Sequence, residues 1–127
     1  MIYSILIYGS EASVDAWTPQ DEAEVLGRHA ELRQELTAEG RLGPVLRLEK
    51  NKATTMRHAT KKPLVHDGPF AETKEQLMGI YIVDCLTHEE AVEAARRLAF
   101  ETSVFEIRPI TWFDPGVVGR RMPPAGK

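Results

Sequence analysis

Residues 2–9 read IYSILIYG, a short run rich in β-branched and aromatic residues that closes on a glycine. Such a run is typical of a β-strand, and both of its alternating faces are apolar. The run LMGIYIVDC, residues 77–85, has the same character. A strand that is apolar on both faces has to be covered on both faces. We therefore expect helices against one side of these two strands and a further apolar surface against the other.

Two helices are predicted between the strands. The first runs from about Pro19 to Glu39, because Thr18 can cap its start and Gly40 suits its end. The second opens with the capping box Thr87-His88-Glu89-Glu90. One stripe of the first helix is expected to face inward. It consists of Val25, His29, Leu32 and Leu36.

Further strands are predicted at 42–49 and 103–110, with a hairpin formed by 54–59 and 63–66. Without the hairpin the order is βαββαβ, the ferredoxin-like pattern. The predicted fold class is therefore α+β, a ferredoxin-like domain with an inserted β-hairpin. Its helices cover one face of the sheet only. Because a monomer does not tolerate an exposed apolar face of several hundred Å², we predict a homodimer that packs sheet against sheet.

The composition sets limits on the class of protein. A chain of 127 residues and 14.3 kDa corresponds to one domain. With 16 Lys and Arg against 19 Asp and Glu, the net charge is -3, so direct binding to nucleic acid is not expected. Cys85 is the one cysteine, which excludes an internal disulfide. No apolar run approaches the length of a membrane span, and the start lacks the basic residues of a signal peptide, so we expect a cytoplasmic protein without a membrane partner.

The last residues, 111–127, are rich in proline and glycine and cannot form a regular element. They nevertheless include Trp112 and Phe113, which are too apolar for a free linker. We expect an extended arm that these two aromatic residues anchor along the body of the protein, on the partner subunit of the dimer. Residues 1–110 then form the domain itself.

The run DGPFAETKEQL, residues 67–77, resembles the signature of the DGPF-domain proteins of the YCII-related superfamily. The resemblance covers about residues 1–110. It implies a dimeric α+β barrel built from ferredoxin-like halves, and it implies a biochemical function that is poorly defined. Members of this family are often encoded beside extracytoplasmic-function sigma factors, so the resemblance permits a part in such a regulatory system.

In the wider superfamily, a histidine on the first helix and an aspartate elsewhere are suspected of forming a catalytic pair. His29 matches that histidine, since it stands eleven residues before the glycine that ends the helix. The aspartate of the wider pattern follows the second helix, where this chain reads Leu98-Ala99-Phe100-Glu101. Glu101 is the acid nearest to that position.

The residues themselves point to His29 and Asp67 as a catalytic pair. A histidine on an apolar stripe is either a core residue or, at the wall of a pocket, a general acid or base with an ordinary pKa of about 6.5. Asp67 either forms an Asp-Gly turn or is presented by the loop into a cleft, where it would orient the histidine ring. The expected substrate-binding residues are His66, Phe70, Glu72 and Tyr81.

Two functions from different classes remain open. The first is a small-molecule enzyme that uses the His29 and Asp67 pair for proton transfer, isomerisation or hydrolysis. The second is a non-catalytic ligand-binding or regulatory protein associated with an extracytoplasmic-function sigma factor. Neither requires a cofactor. His58, His66 and Asp67 would form a metal site only if the hairpin register brought them to one face, and we predict none.

Overall fold

In the computed structural model, which describes residues 1–58, 64–70 and 75–119, the two doubly apolar strands lie side by side at the centre of one sheet. The elements in chain order are β1 (Ile2–Gly9), α1 (Glu11–Asp15), α2 (Pro19–Ala38), β2 (Leu42–Arg47), β3 (Thr54–Arg57), β4 (Leu64–Asp67), β5 (Gln76–Asp84), α3 (His88–Leu98) and β6 (Val104–Pro109). The larger sheet has four strands in the order β2-β5-β1-β6.

All neighbours in this sheet are antiparallel. Ile5 at the middle of β1 lies opposite Tyr81 on β5 and opposite Ile107 on β6. The helix α2 follows β1 and the helix α3 follows β5, and both contribute residues to one core with the sheet. This is the α+β, ferredoxin-like arrangement that the order of elements predicts.

The core fills the space between the helices and one face of the sheet. Alternate residues of the central strands are buried there, among them Tyr3, Ile5, Tyr81 and Val83. The helices complete the core with Leu32, Leu36, Ala91, Ala94, Ala95 and Leu98. The residues between them on β5, including Ile80 and Ile82, point to the opposite face because side chains alternate along a strand.

The helix α2 has well-defined ends. The hydroxyl of Thr18 accepts a hydrogen bond from the Asp21 amide at 3.1 Å, and the Asp21 carboxylate accepts one from the Thr18 amide at 3.0 Å. Gly40, with φ at +69°, ends the helix, and the next amide donates to the Leu36 carbonyl at 2.8 Å. The fully buried residues of α2 both lie in its C-terminal half.

The helix α1 is not predicted from the sequence, where residues 10–16 read as a polar loop. Ser10 caps it by accepting a hydrogen bond from the Ser13 amide at 3.3 Å. None of its residues is fully buried. Two surface contacts tie it to the segment after β2: an ion pair between Asp15 and Lys50, and a bond from the Asn51 amide to the Glu11 carboxylate. Five residues are too few for a periodic apolar pattern to appear.

The strands β3 and β4 form the predicted hairpin as a separate two-stranded sheet, with Thr54 opposite Asp67. The predicted strand ends at residues 59 and 63 lie outside the described residues. Gly68 follows β4 with φ at +106°, and its amide donates to the Ala53 carbonyl at 2.7 Å. The side chains of β4 are exposed.

After β6 the chain runs without regular structure through the described residues up to 119. The Ile110 amide donates to the Ile2 carbonyl at 2.8 Å, so the arm begins where the end of β6 lies beside the start of β1. Trp112 is 79% exposed and Phe113 38% exposed in the single chain. Residues 120–127 lie outside the described part. No helix in the described ranges has both the length and the apolar character needed to cross a membrane.

Candidate functional site

A cavity of about 420 Å³ lies under the N-terminal half of α2. Its walls come from α1 and α2, from the adjoining strands, and from the loop after α3. This volume falls within the ordinary range for small-molecule sites. Apolar side chains line most of it, among them Ile7, Val25, Val45, Met78 and Phe105. The polar lining includes His29, Arg33, Arg47 and Tyr81.

His29 and Tyr81 form a hydrogen-bonded pair at the wall of the cavity. The Nδ1 atom of His29 lies 2.7 Å from the Tyr81 hydroxyl oxygen, and the two ring centres are 5.5 Å apart. The alternation of β5 turns Tyr81 toward the helices, and the inward stripe of α2 turns His29 toward the sheet. The pair is therefore built from two regular elements that are anchored in the core.

The surroundings of His29 favour its neutral form. Burial is the largest effect and lowers the pKa of the imidazole, because desolvation disfavours the charged ring. The positive charges of Arg33 and, to a smaller extent, Arg47 lower the pKa further. The ring is therefore neutral at pH 7 and can accept a proton.

Tyr81 keeps its proton at neutral pH. Burial raises the pKa of its hydroxyl, while Arg33 acts against this through a hydrogen bond and through its charge. The Arg33 guanidinium donates to the Tyr81 oxygen at 3.5 Å. The tyrosine oxygen is thus placed between a cation and an imidazole.

The pair leaves the other ring nitrogen of His29 for a ligand, since Nε2 has no hydrogen bond to any described residue. When Nδ1 carries the proton it donates to the Tyr81 oxygen, and Nε2 is then a base. A proton taken up at Nε2 turns the ring into an imidazolium, in which Nδ1 still donates to the Tyr81 oxygen and Nε2 is the acid. One histidine can therefore take a proton from a bound molecule and return it.

The opposite end of the cavity is aromatic. The rings of Trp17 and Phe100 meet edge to face with their centres 5.5 Å apart, and both residues line the cavity. The indole Nε1 of Trp17 is buried and has no hydrogen-bond partner among the described residues. Two carboxylates, Glu22 and Glu101, also line the cavity. Glu101 is the acid nearest to the position at which the resemblance leads one to expect an aspartate.

The predicted site residues fall into two groups. His29 and Tyr81 meet in the cavity, whereas Asp67, His66 and Phe70 lie on the hairpin and are not part of the cavity wall. His66 directs its Nδ1 to the neighbouring Asp67 carbonyl at 3.2 Å. The Arg57 guanidinium lies over the Phe70 ring, 5.1 Å from its centre, and Phe70 is 72% exposed.

The remaining predicted residue, Glu72, lies outside the described residues. Within the described ranges, no group of three or more His, Cys, Asp or Glu side chains is arranged to hold a metal ion. His58, considered above as a metal ligand, lies exposed just after β3.

Three cavity residues escaped the sequence analysis: Trp17, Arg33 and Arg47. A signal existed for Arg33, since it is four residues after His29 and therefore on the same face of the helix. Arg47 ends β2 with an exposed side chain, and no local pattern marks it as part of a pocket. Trp17 precedes the capped start of α2, in a segment that was read as a loop.

Comparison with known proteins agrees with the resemblance seen in the sequence. The YCII-related domain matches residues 1–114 of the chain. An uncharacterised protein of Rhizobium meliloti (strain 1021) is 38% identical over 120 residues, which is 91% of this chain and 97% of that relative. Residues 1–114 include the four strands of the larger sheet, the helices α2 and α3, and the residues that line the cavity. The chain therefore belongs to the YCII-related domain family.

Proposed function

We propose that this protein is an enzyme that moves a proton on a small organic molecule bound in the cavity under α2. The observation that carries the proposal is the His29 and Tyr81 pair: a neutral imidazole, fixed by a hydrogen bond of 2.7 Å, with Nε2 left for a ligand. A general base works best when it is unprotonated at the working pH and held in one orientation. Both conditions hold for His29.

The partner of the histidine in this proposal is Tyr81 and not Asp67. Asp67 is exposed on β4, and the cavity wall does not include it. Tyr81 supplies the orientation expected of a carboxylate without adding a negative charge. His29 would take a proton at Nε2 while Nδ1 donates to the Tyr81 oxygen, and would return the proton to another atom of the same molecule. Isomerisation of a carbonyl compound is the simplest reaction of this kind.

The test is exchange of carbon-bound hydrogen for deuterium. A panel of small carbonyl compounds, half of them carboxylates and half neutral analogues, is first screened for binding by thermal shift. Each binder is then incubated with the protein in D2O, and loss of its α-proton signal is followed by proton NMR. The variants are His29→Gln, Tyr81→Phe and the control His88→Gln, in which an exposed histidine outside the cavity is changed.

Wild type and His88→Gln should exchange at least one binder faster than the protein-free solution. His29→Gln should lose about 100-fold or more of that rate, the usual contribution of a general base. Tyr81→Phe should fall between them, because its ring is no longer held. Equal rates for wild type and His29→Gln, or binders that never exchange, would refute the proposed chemistry.

The second candidate is a ligand-binding protein without catalysis, in a regulatory system such as that of an extracytoplasmic-function sigma factor. The same cavity supports it, because a mostly apolar space of this size suits a small ligand whatever happens to it. Binding that depends on the cavity, together with exchange rates that do not depend on His29, would favour this candidate.

We also propose a homodimer, in the cytoplasm, formed through the face of the sheet that the helices leave open. Leu6, Ile80 and Leu46 form a row across three strands on that face, since Ile80 lies opposite both of the others. The exposed Trp112 of the arm offers a further apolar surface to a partner.

Light scattering at micromolar concentration tests the dimer. We expect twice the chain mass of 14.3 kDa for wild type and the monomer mass for Ile80→Lys. Ile5→Lys is the matched variant for the other face, where Ile5 is fully buried, and it should unfold the chain. Deletion of 111–127 should weaken the dimer. A monomeric wild type would overturn the proposal.

A further inference from the structure

The cavity contains two arginines that lack the partners arginine usually has. Neither Arg33 nor Arg47 forms an ion pair within the described part of the chain, and the hydrogen bond of Arg33 to Tyr81 is a long one at 3.5 Å. Of the six other described arginines, Arg57 and Arg108 are exposed and have no ion pair there either, and four pair with carboxylates: Arg28, Arg41, Arg96 and Arg97. The Arg33 side chain is half-buried, and a half-buried cation beside an apolar cavity is costly unless something negative compensates it, whereas the Arg47 side chain is exposed to solvent at the mouth of the cavity.

The charges of the cavity are separated along α2. Glu22 lies in the first turn of the helix, and Arg33 is eleven residues later, about 16 Å along the axis. Glu101 directly follows Phe100, whose ring packs on Trp17. The two carboxylates therefore belong to the aromatic end, whereas the guanidinium of Arg33 stands beside His29 and Tyr81 at the other end.

A molecule that fits this distribution has an anionic head and an apolar body. The head would lie at the arginine end, where the planar donors of a guanidinium match the two oxygens of a carboxylate. The body would extend under Val25 and Leu26 toward Trp17 and Phe100, all of which line the cavity.

We propose that the ligand of this cavity is an organic carboxylate with an apolar body, held by Arg33 and Arg47 beside the His29 and Tyr81 pair. This rests on the proposed function for its site and names the substrate class of that site. The aromatic end also carries a cation, since Arg28 lies over the Phe100 ring, but Arg28 is already paired with Glu24, whereas Arg33 and Arg47 have no ion pair among the described residues. The cavity therefore favours the orientation with the head at the arginine end. In that orientation the atoms next to the carboxylate face Nε2 of His29.

The test compares matched pairs of probes that differ only in charge. The carboxylates are hexanoate, 3-phenylpropanoate and 2-naphthylacetate, and each is compared with its primary amide by isothermal titration calorimetry. Wild type should bind at least one carboxylate about 10-fold or more tightly than its amide, and this comparison needs no variant. Arg33→Gln and Arg47→Gln should each lower the affinity for the carboxylate much more than the affinity for the amide, and so remove most of that preference.

The matched control is Arg57→Gln, since Arg57 also has no ion pair among the described residues but lies over Phe70, outside the cavity. It should keep the full preference. The place of binding is read from Trp17 fluorescence in a Trp112→Phe background, where Trp17 is the one tryptophan left. The carboxylate should change that signal.

Three results would overturn the inference: equal or tighter binding of every amide, a preference for carboxylate that survives both cavity substitutions, or no binding of any pair at millimolar concentration. The proposed function is tested separately by deuterium exchange. Carboxylate binding without exchange that depends on His29 would remove the proton-transfer function and leave this inference standing. Exchange that depends on His29 but occurs only with neutral carbonyl compounds would support the proton-transfer function and overturn the inference of a carboxylate ligand.

Discussion

The cavity under α2 and the β3–β4 hairpin present their polar residues in opposite settings. In the cavity, His29 and Tyr81 stand on a long helix and a central strand, and burial shifts the pKa of both. On the hairpin, Asp67 and His66 lie on a two-stranded sheet whose side chains are exposed. The hairpin has the more recognisable sequence, but only the cavity provides the burial and the nearby charges that shift the pKa of its side chains. The candidate site is therefore built by α2 and β5, which both pack into the core, whereas the family signature that starts at Asp67 begins with an exposed turn.

The largest difference between the two regions should appear in stability. Leu32 on α2 is 1% exposed, and Leu64 on the hairpin is 55% exposed. Leu32→Ala should lower the free energy of unfolding by about 2–5 kcal/mol, because it leaves a cavity in the core. Leu64→Ala should change it by less than about 0.5 kcal/mol. Urea denaturation measures both, and similar losses for the two variants would erase the contrast.

Removal of the Tyr81 hydroxyl should have the next largest effect. Tyr81→Phe leaves Nδ1 of His29 without its partner, at an expected cost of about 1–2 kcal/mol in unfolding free energy. Tyr8→Phe is the matched control, since the Tyr8 hydroxyl makes a longer, exposed bond of 3.4 Å to Glu106. The control should be close to neutral. If Tyr81→Phe were equally neutral in chemical denaturation, the hydrogen bond would contribute nothing to holding the pair.

A smaller effect is expected at the turn of the hairpin. Gly68 has φ at +106°, which a side chain disfavours, so Gly68→Ala should cost about 1 kcal/mol through backbone strain. Gly27 lies exposed on α2, and an added Cβ there meets nothing within 4 Å. Gly27→Ala should therefore stabilise the protein by up to about 1 kcal/mol. Thermal melts of the two variants should shift in opposite directions.

The smallest expected effect is on how the free energy of unfolding depends on pH, and it tests the lowered pKa of His29 in the cavity. The pKa of His29 is lower in the folded protein than in the unfolded chain, so the unfolded chain binds a proton more readily. The contribution of His29 to stability is complete above about pH 6.5 and declines as the pH falls toward the folded pKa. The unfolding free energy of wild type should fall more steeply over that range than that of His29→Gln. Parallel profiles would contradict the lowered pKa.

Much of the fold was predictable because its signals are local. The apolar runs of β1 and β5 and the two capped helices were visible in the sequence, and α2 ends one residue before the predicted position. His29 could be named because it lies on the inward stripe of its helix, whereas both faces of β5 are apolar in the sequence, so the pattern did not show which face carries Tyr81. Arg33 and Arg47 could not be assigned to a cavity, because a local sequence pattern does not show where a gap is left between a helix and the sheet. The Asp-Gly sequence at Asp67 predicts a turn because glycine tolerates a positive φ. It does not predict whether the turn lies beside a pocket.

The helix α1 has a consequence for how quickly the cavity can exchange its contents. It forms part of the cavity wall, has no fully buried residue, and is tied down by an ion pair and a single hydrogen bond at the surface. Segments with so few buried contacts open at a small fraction of the free energy of global unfolding. Amide hydrogens of residues 14–16 should therefore exchange with solvent orders of magnitude faster than those in the C-terminal half of α2. A molecule can then enter and leave on the timescale of a local fluctuation, while the sheet stays intact.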